Sequence, residues 1–295
     1  MAKNNSPKSA SSGAHSLPNL SRRNFGAVSV AAGLASSVQR VSANDALPST
    51  EIEVDIATPD GTCDSVFIHP SNGVYPGVII WADIRGLRQT FRDLGHRLAS
   101  EGYAVLIPNP FYRSAHAPVP GPDFNFQNPN DRTMVFQMMG KLTAPGAAER
   151  DTIAFIEYLE MQPTVDKKRR IGTAGYCMGG PLTMRTAATV PDRIGAGASF
   201  HGGGLVTDEP NSPHLLIPKI KAEYHFGIAI DDDEEQPSAK DTLRDAFSRT
   251  DVTADIEVYA GARHGWCVPD NPNYHEAQAE RGWRKLLSLL NSALT

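Results

Sequence analysis

Cysteine is scarce in this chain of 295 residues, which contains only three. Cys63, Cys177 and Cys267 lie far apart and form no Cys-x-x-Cys or zinc-ligand spacing, so the sequence excludes a disulfide-rich scaffold. With an odd number of cysteines, at least one thiol stays free or pairs outside the chain. We therefore expect no metal and no cofactor, and the state of Cys63 and Cys267 stays open at this point.

The chain also lacks a long hydrophobic run and an excess of positive charge. Its longest mildly apolar stretch near the start, 26–38, is interrupted by Gly and Ser and falls short of the roughly 20 apolar residues that span a bilayer. The formal net charge is −5, which makes nucleic acid an unfavourable partner. These absences predict a soluble globular protein with no stable membrane insertion of the mature form and no nucleic-acid partner.

No acidic residue precedes Asp45, whereas five Lys and Arg residues do. The run Ser21–Phe25 (SRRNF) resembles a twin-arginine export signal, and the small residues of Val41–Ala43 suit a signal peptidase. The alternative is a disordered tail that happens to contain an arginine pair. We expect residues 1–43 to be an export signal read by the twin-arginine translocase, and 44–295 to be one domain exported to the bacterial periplasm or cell exterior. Removing the signal takes the formal charge to about −10.

Apolar runs and helical patterns alternate along the rest of the chain, which is typical of a parallel sheet with crossover helices. The continuous apolar run 77–82 predicts a strand buried on both faces, and 51–56 and 63–68 predict an antiparallel opening hairpin. The pattern breaks down over 108–145, a length typical of a lid. The sequence therefore predicts an α/β fold, with a mostly parallel central sheet, helices on both faces and a short lid segment.

The residue types of a nucleophile turn surround one cysteine. Cys177 stands between Gly175 and Gly179, at the junction of a predicted strand, 170–174, and a predicted helix, 178–189. A nucleophile elbow needs small neighbours because its central residue has a strained backbone, and the N-terminus of the following helix favours a thiolate. The alternative is a buried structural cysteine in a glycine-rich turn.

An acid and a histidine follow in the order that hydrolase triads on such folds use. The predicted strand 223–230 ends at Asp231–Asp233, and His264 lies in the loop between the strand 254–259 and the last helix. One of the three aspartates is the expected orienting acid. The alternative for this acidic run is a solvated loop.

Four segments together resemble the dienelactone hydrolases, carboxymethylenebutenolidase-like members of the α/β-hydrolases, and the resemblance runs from about residue 50 to 292. They are 81–86 (WADIRG), 102–110 (GYAVLIPNP), 175–180 (GYCMGG) and 262–265 (ARHG). The third is the most specific, since most α/β-hydrolases place Ser where this chain has Cys. The resemblance implies an α/β-hydrolase fold.

The resemblance further implies a triad of Cys177, Asp232 and His264. Asp232 is chosen because the acid of this family stands a few residues ahead of a proline, here Pro237. Asp231 or Asp233 takes that role if the loop length differs.

Three more residues take roles from the resemblance. Asp83 stands where the family usually has a Glu that accepts or gates the thiol proton, and its shorter side chain reaches less far. The backbone N–H groups of Ile84 and Met178 match the oxyanion hole, which stabilises negative charge on the carbonyl oxygen.

The family holds a substrate carboxylate with two arginines, one in the lid and one four residues after the triad histidine. Arg132 matches the first, but Val268 stands four residues after His264 and donates no hydrogen bond to a carboxylate. We therefore expect a preference for neutral substrates and an apolar pocket lined by Trp266 and Val268. If anionic substrates are preferred after all, Arg113 or Arg263 is the replacement cation.

These observations predict a hydrolase that opens a small-molecule ester or lactone through a thioester on Cys177. A general carboxylesterase is the nearest alternative. An alternative of a different class is a catalytically silent member of the fold, which binds a ligand or senses oxidants through its thiol.

Overall fold

A long antiparallel hairpin opens the sheet. The computed structural model describes residues 46–294, so the predicted export signal and its boundary after residue 43 lie outside the described residues. Strand β1 (Ser49–Thr58) pairs along its whole length with β2 (Gly61–Pro70). The chain reverses at Asp60 and Gly61, and Gly61 has a φ of 135°, which glycine adopts without a Cβ clash. The predicted hairpin is confirmed.

Six further strands complete a sheet of eight. They are β3 (Gly77–Trp81), β4 (Ala104–Pro108), β5 (Ile171–Tyr176), β6 (Ile194–Phe200), β7 (Glu223–Ala229) and β8 (Ala254–Tyr259). The spatial order is β1-β2-β4-β3-β5-β6-β7-β8, and every pair from β4 to β8 is parallel. The mostly parallel sheet predicted from the continuous apolar runs is confirmed, because such runs suit strands covered on both faces.

Seven α-helices and one 3-10 helix connect the strands within the described part of the chain. They are α1 (Gln89–Ser100), α2 (Pro129–Leu142), α3 (Ala147–Met161), α4 (Gly179–Thr189), α5 (Ile230–Glu235), α6 (Ala239–Phe247), α7 (Glu276–Ala293) and the 3-10 helix Pro213–Lys219. Two apolar clusters separate the helices into two layers. One contains residues of α3, α4 and α6, and the other contains residues of α1 and α7.

Strand β3 shows how the sheet divides these clusters. Ile79 and Trp81 belong to the cluster with α3 and α4, whereas Val78 and Ile80 belong to the cluster with α1 and α7. Alternate side chains of a strand point to opposite faces, so one apolar run supplies both cores. Each such buried side chain contributes about 1.5–3 kcal/mol of hydrophobic free energy.

Helix α2 lies in the segment predicted to be a lid and begins earlier than the predicted start at 134. Asn128 caps it by accepting a hydrogen bond from the N–H of Asn130, and Pro129 occupies the first helical position, where its missing N–H costs nothing. Only Val135 and Leu142 of this helix are buried.

The carboxyl ends of the parallel strands gather the candidate site residues at one edge. Cys177 directly follows β5, Asp231 to Asp233 follow β7 and His264 follows β8. The predicted loop of aspartates is instead the short helix α5, whose first turn carries all three. Carboxylates suit this position because the N-terminal end of a helix is partly positive.

Candidate active site

The turn after β5 holds Cys177 in a strained conformation. Its φ is +52°, which is uncommon for a residue other than glycine. Its N–H donates to the carbonyl of Phe200 at 3.1 Å, and its carbonyl accepts from the N–H of Gly180 at 3.0 Å. A Cβ on Gly175 would collide with the carbonyl of Gly179, so the turn needs glycine for close packing. Such strain persists where the surroundings fix it, and it concentrates at functional sites.

The three cysteines differ in burial. Cys177 is half-buried, whereas Cys63 and Cys267 are buried, and all three thiols are unpaired. Burial raises the pKa of Cys63 to about 12 and that of Cys267 well above its ordinary value. Because the thiolate is the reactive form, the two buried cysteines are chemically inert at neutral pH.

Each of the three consecutive aspartates has a different partner. The two carboxylate oxygens of Asp232 lie 2.8 and 3.0 Å from Nδ1 of His264. Asp231 accepts from the backbone N–H of His264 at 2.8 Å. Asp233 accepts from Nζ of Lys240 at 2.6 Å. The geometry therefore brings Asp232, and not its neighbours, to the imidazole ring.

The His264 ring is hydrogen-bonded to Asp232 and lies close enough to Cys177 for the sulfur to affect its pKa. Burial lowers its pKa, but hydrogen bonds and charges from Asp232 and Cys177 outweigh burial and raise the pKa to about 10. The ring therefore carries a proton at neutral pH.

The two backbone N–H groups expected to form the oxyanion hole have no hydrogen-bond partner among residues 46–294. Met178 lies just ahead of α4, and Ile84 lies in the turn after β3. Within residues 46–294 neither of these N–H groups donates a hydrogen bond. Unpaired amides at this place are able to receive a developing oxyanion.

Asp83 makes a different contact from the one expected. Its carboxylate is buried and accepts from Nη1 and Nη2 of Arg88 at 2.7 and 2.9 Å, and from the N–H of Arg85 at 2.9 Å. No hydrogen bond joins it to Cys177 within the part of the chain that the structure describes. Arg88 neutralises this carboxylate, so the expected contact with the thiol is absent in this conformation.

Trp266 and Val268, which were expected to line an apolar pocket, have no solvent-exposed surface. Both side chains are fully buried in the cluster that α7 covers. The Trp266 ring stacks on Tyr259 with centroids 4.3 Å apart and meets Phe200 edge-on. The chain after His264 turns into the core, because these apolar side chains gain more from burial there than at the surface.

Arg132 is exposed on α2, and the structure does not bring it to His264. A cavity of about 690 Å³ lies beside His264. Its wall includes the glycine-rich turn 202–204, the aspartates 231–233 and Lys240, but neither Arg132 nor Cys177. Each of the three aspartates in this wall lies beside a basic group, which is Arg263, His264 or Lys240.

His201 is a site residue that the sequence did not reveal. It follows β6, has a φ of +40° and is fully buried, with its ring edge-to-face against His264 at 4.9 Å. Neither ring nitrogen has a partner among the described residues. Burial and the neighbouring His264 lower its pKa well below the ordinary value, so the ring is neutral. The available signal was the strand order, since the residue after β6 meets the turn after β5.

Two features are absent from residues 46–294. No group of three or more His, Cys, Asp or Glu side chains is arranged to hold a metal ion there. None of the helices there has the length and apolar character needed to cross a membrane.

Comparison with known proteins adds independent information. The model of the dienelactone hydrolase family matches residues 63–294. A provisionally named carboxymethylenebutenolidase from Methylorubrum extorquens is 29% identical over 279 residues, covering 90% of this chain and 91% of that protein. A protein of the same provisional name from Salmonella typhi is 26% identical over 223 residues, covering 74% of this chain and 77% of that protein.

Solved structures share the fold. A provisionally named dienelactone hydrolase from Klebsiella pneumoniae has a TM-score of 0.71 at 24% identity, covering 83% of this chain and 99% of that structure. A dienelactone hydrolase-like promiscuous phosphotriesterase from metagenomic libraries has a TM-score of 0.70 at 21% identity, covering 84% and 99%. The fold prediction is confirmed, and the chain belongs to the dienelactone hydrolase family.

Proposed function

We propose that this protein hydrolyses a carboxylic ester or lactone with Cys177 as its nucleophile. The observation that carries the proposal is the position of His264, whose Nδ1 is hydrogen-bonded to Asp232 and whose ring lies close enough to Cys177 for the sulfur to affect its pKa. This is the relation of acid, base and nucleophile in hydrolytic triads. Family membership supports the same reaction class.

The reaction has two halves. The thiolate of Cys177 attacks the carbonyl carbon, and the N–H groups of Met178 and Ile84 receive the oxyanion. As the intermediate collapses, the C–O bond breaks and the leaving alkoxide takes the proton of His264. A water molecule then attacks the thioester while His264 accepts a water proton, and the C–S bond breaks to release the acid and restore the thiolate.

We expect neutral substrates to be preferred over carboxylate-bearing ones. Arg132 does not reach His264, and Val268 is buried. Arg113 is occupied by Asp60 and Asp151. The basic groups at the cavity are engaged by its aspartates in the same way. The pairs are Arg263–Asp231, His264–Asp232 and Lys240–Asp233. Comparing kcat/KM for a dienelactone with that for a neutral lactone of similar size tests this, and a clear preference for the anion would contradict it.

The experiment for the reaction itself uses a chromogenic aryl acetate and the purified protein. We expect a burst of phenol followed by steady turnover, with the acetyl group found by mass spectrometry on the peptide that contains Cys177. The buried thiols of Cys63 and Cys267 serve as internal controls and should stay unmodified. An acetyl group on another residue, or ligand binding without turnover, would contradict the proposal.

We further propose that the protein is exported through the twin-arginine translocase to the periplasm or cell exterior. The paired Arg22 and Arg23, and the small residues of Val41–Ala43, support this. Replacing both arginines by lysine should retain the protein in the cytoplasm on cell fractionation. Export of that variant, or a native N-terminus at Met1, would contradict the proposal.

A further inference from the structure

Arg88 lies between two loops of the active site. The first is the turn 83–86 after β3, which carries Ile84. The second is the loop that follows β8, which carries His264 and continues to Asp270. In sequence Arg88 and Asp270 are 182 residues apart, yet their side chains are in direct contact.

All five N–H donors of the Arg88 guanidinium are used. Nη1 donates to Asp83 Oδ1 at 2.7 Å and to the carbonyl of Gly86 at 3.2 Å. Nη2 donates to Asp83 Oδ2 at 2.9 Å and to Asp270 Oδ1 at 2.8 Å, and Nε donates to Asp270 Oδ2 at 2.7 Å. Arg85 adds a bond to Asp270 Oδ2 at 3.0 Å. The Arg88 side chain thus forms a bidentate hydrogen-bonded pair with one carboxylate from each loop.

The cluster is largely withdrawn from solvent and balanced in charge. The side chains of Arg88 and Asp83 are 13% and 7% exposed, and Asp270 is 33% exposed. Burial alone would raise the pKa of Asp270, but hydrogen bonds from Arg88 outweigh burial and lower it. With two arginines facing two aspartates, no charge is left over to bind a substrate carboxylate.

The turn that carries Ile84 is fixed by these contacts. Asp83 accepts from the N–H of Arg85, its carbonyl accepts from the N–H of Gly86, and Arg88 holds both the Asp83 carboxylate and the Gly86 carbonyl. The direction of the Ile84 N–H therefore depends on Arg88, although Arg88 itself contacts neither Cys177 nor His264 by a hydrogen bond within the described residues.

We propose that Arg88 is a positioning residue that holds the Ile84 amide where it receives the oxyanion, by tying the turn 83–86 to the His264 loop. This inference rests on the proposed ester hydrolysis. In this arrangement Asp83 is the anchor of Arg88 rather than an acceptor of the thiol proton. We call the contacts of Arg88 with Asp83 and Asp270 the clamp. The clamp affects acyl transfer and does not change the positions of Cys177 and His264.

The test compares two reactions of the same thiol. Hydrolysis of an aryl acetate builds an oxyanion, whereas alkylation of Cys177 by iodoacetamide forms a C–S bond and expels iodide without one. In Arg88→Gln we expect kcat to fall on the order of 100-fold, as when an oxyanion donor is lost. KM and the alkylation rate should stay within about threefold, because the thiolate is unchanged.

Arg92→Gln is the matched control. Arg92 lies on α1, one turn after Arg88. It pairs with Glu51 and Glu53 of β1, the outermost strand of the sheet. Its loss should lower the melting temperature and leave kcat unchanged. Arg88→Lys is the second variant, since it keeps the charge but loses the planar fork. We expect it to fold with a melting temperature near that of the parent and to lose kcat by about tenfold.

The outcomes distinguish a failure of the proposed ester hydrolysis from a failure of the proposed role of Arg88. A parent protein that hydrolyses no ester overturns the proposed function and this inference with it. An active parent in which Arg88→Gln loses no more kcat than Arg92→Gln, or in which Arg88→Lys matches the parent, overturns the clamp alone. A parallel fall in alkylation and ester turnover overturns it as well, because Arg88 would then act on the thiol pair or on the fold.

Discussion

The edge formed by the ends of β5 to β8 and the segment 109–146 differ in how tightly their side chains are held. At the edge, Cys177 and His201 take strained backbone conformations directly after two neighbouring strands, and Asp232 holds the His264 ring by hydrogen bonds. In 109–146, Phe126 and Phe136 contact each other but remain exposed. We therefore expect changes at the edge to lower activity, and changes at the exposed side chains of 109–146 to have little effect.

The largest expected effect is at the nucleophile. Cys177→Ala should lower ester turnover by about 10⁴-fold or more, because a triad without its nucleophile retains only binding and oxyanion stabilisation. The melting temperature should change little, since the side chain is half-buried and acts in the reaction. Initial rates with an aryl acetate, together with thermal unfolding, measure both. Turnover within about tenfold of the parent would contradict the assignment.

The three aspartates of α5 allow a sharper comparison within the edge. Asp232→Asn should lower kcat by up to about 10⁴-fold, because the neutral amide no longer stabilises the imidazolium of His264. Asp233→Asn is the matched control and loses only the ion pair with Lys240. The side chains of this pair are 23% and 19% exposed, and neither is hydrogen-bonded to the His264 ring, so kcat should stay within about twofold. Equal losses in the two variants would remove Asp232 from the triad.

Trp266 lies in the core beneath the edge. Its substitution tests whether this core contributes to stability without contributing to substrate binding. Trp266→Ala should lower the free energy of unfolding by about 3–5 kcal/mol, because it leaves a cavity between Tyr259 and Phe200. Urea denaturation measures this loss. At a temperature where the variant is folded, KM should remain close to that of the parent. An unchanged stability with a raised KM would restore Trp266 to the substrate pocket.

Substitution of His201 should raise the free energy of unfolding, whereas Trp266→Ala should lower it. His201→Phe removes two buried ring nitrogens that lack partners, and we expect the free energy of unfolding to rise by about 1–3 kcal/mol. His225→Phe is the control, since its ring nitrogens lie 3.0 Å from Asp255 and from Tyr259, and its loss leaves those groups unpaired. Urea denaturation should show opposite signs for the two variants. Destabilisation by both would mean that the nitrogens of His201 are satisfied in solution.

The smallest expected effect lies in 109–146. Arg132→Ala should change kcat/KM for a neutral ester by about twofold at most and stability by about 0.5 kcal/mol or less, because the side chain is exposed and away from the cavity. Steady-state kinetics with a carboxylate-bearing lactone provides the critical measurement. A tenfold higher KM for that substrate would show that Arg132 reaches it.

Most of the fold was predictable because it depends on local periodicity. The run 77–82 predicts a buried strand, and the turn at Cys177 carries its own signature in the flanking glycines. The start of α2 was missed although Asn128 and Pro129 are good start signals, since the first turns of that helix bury almost nothing. Helix α5 was missed because five consecutive acidic residues suggest a solvated loop.

The remaining site contacts depend on which strands are neighbours and on where side chains point after a loop. His201 meets His264 only because β6 lies between β5 and β7 in the sheet. Arg88 meets Asp270 across most of the chain, and nothing in either local sequence indicates a partner. Trp266 was placed in the pocket because the direction of a side chain in an irregular loop has no period to read.

Because Asp232 lies on helix α5, the number of residues between β7 and this helix determines which aspartate faces His264. Successive residues of a helix are rotated by about 100° from one another, so Asp231, Asp232 and Asp233 point to three different sides. Deleting one residue at the junction of β7 and α5 would turn the helix by that angle and exchange the three carboxylates while leaving the count of aspartates unchanged. A sequence alignment that inserts or deletes a residue here would therefore assign the acid to the wrong aspartate. The number of residues after Ala229, the last residue of β7, identifies the acid better than the presence of three consecutive aspartates does.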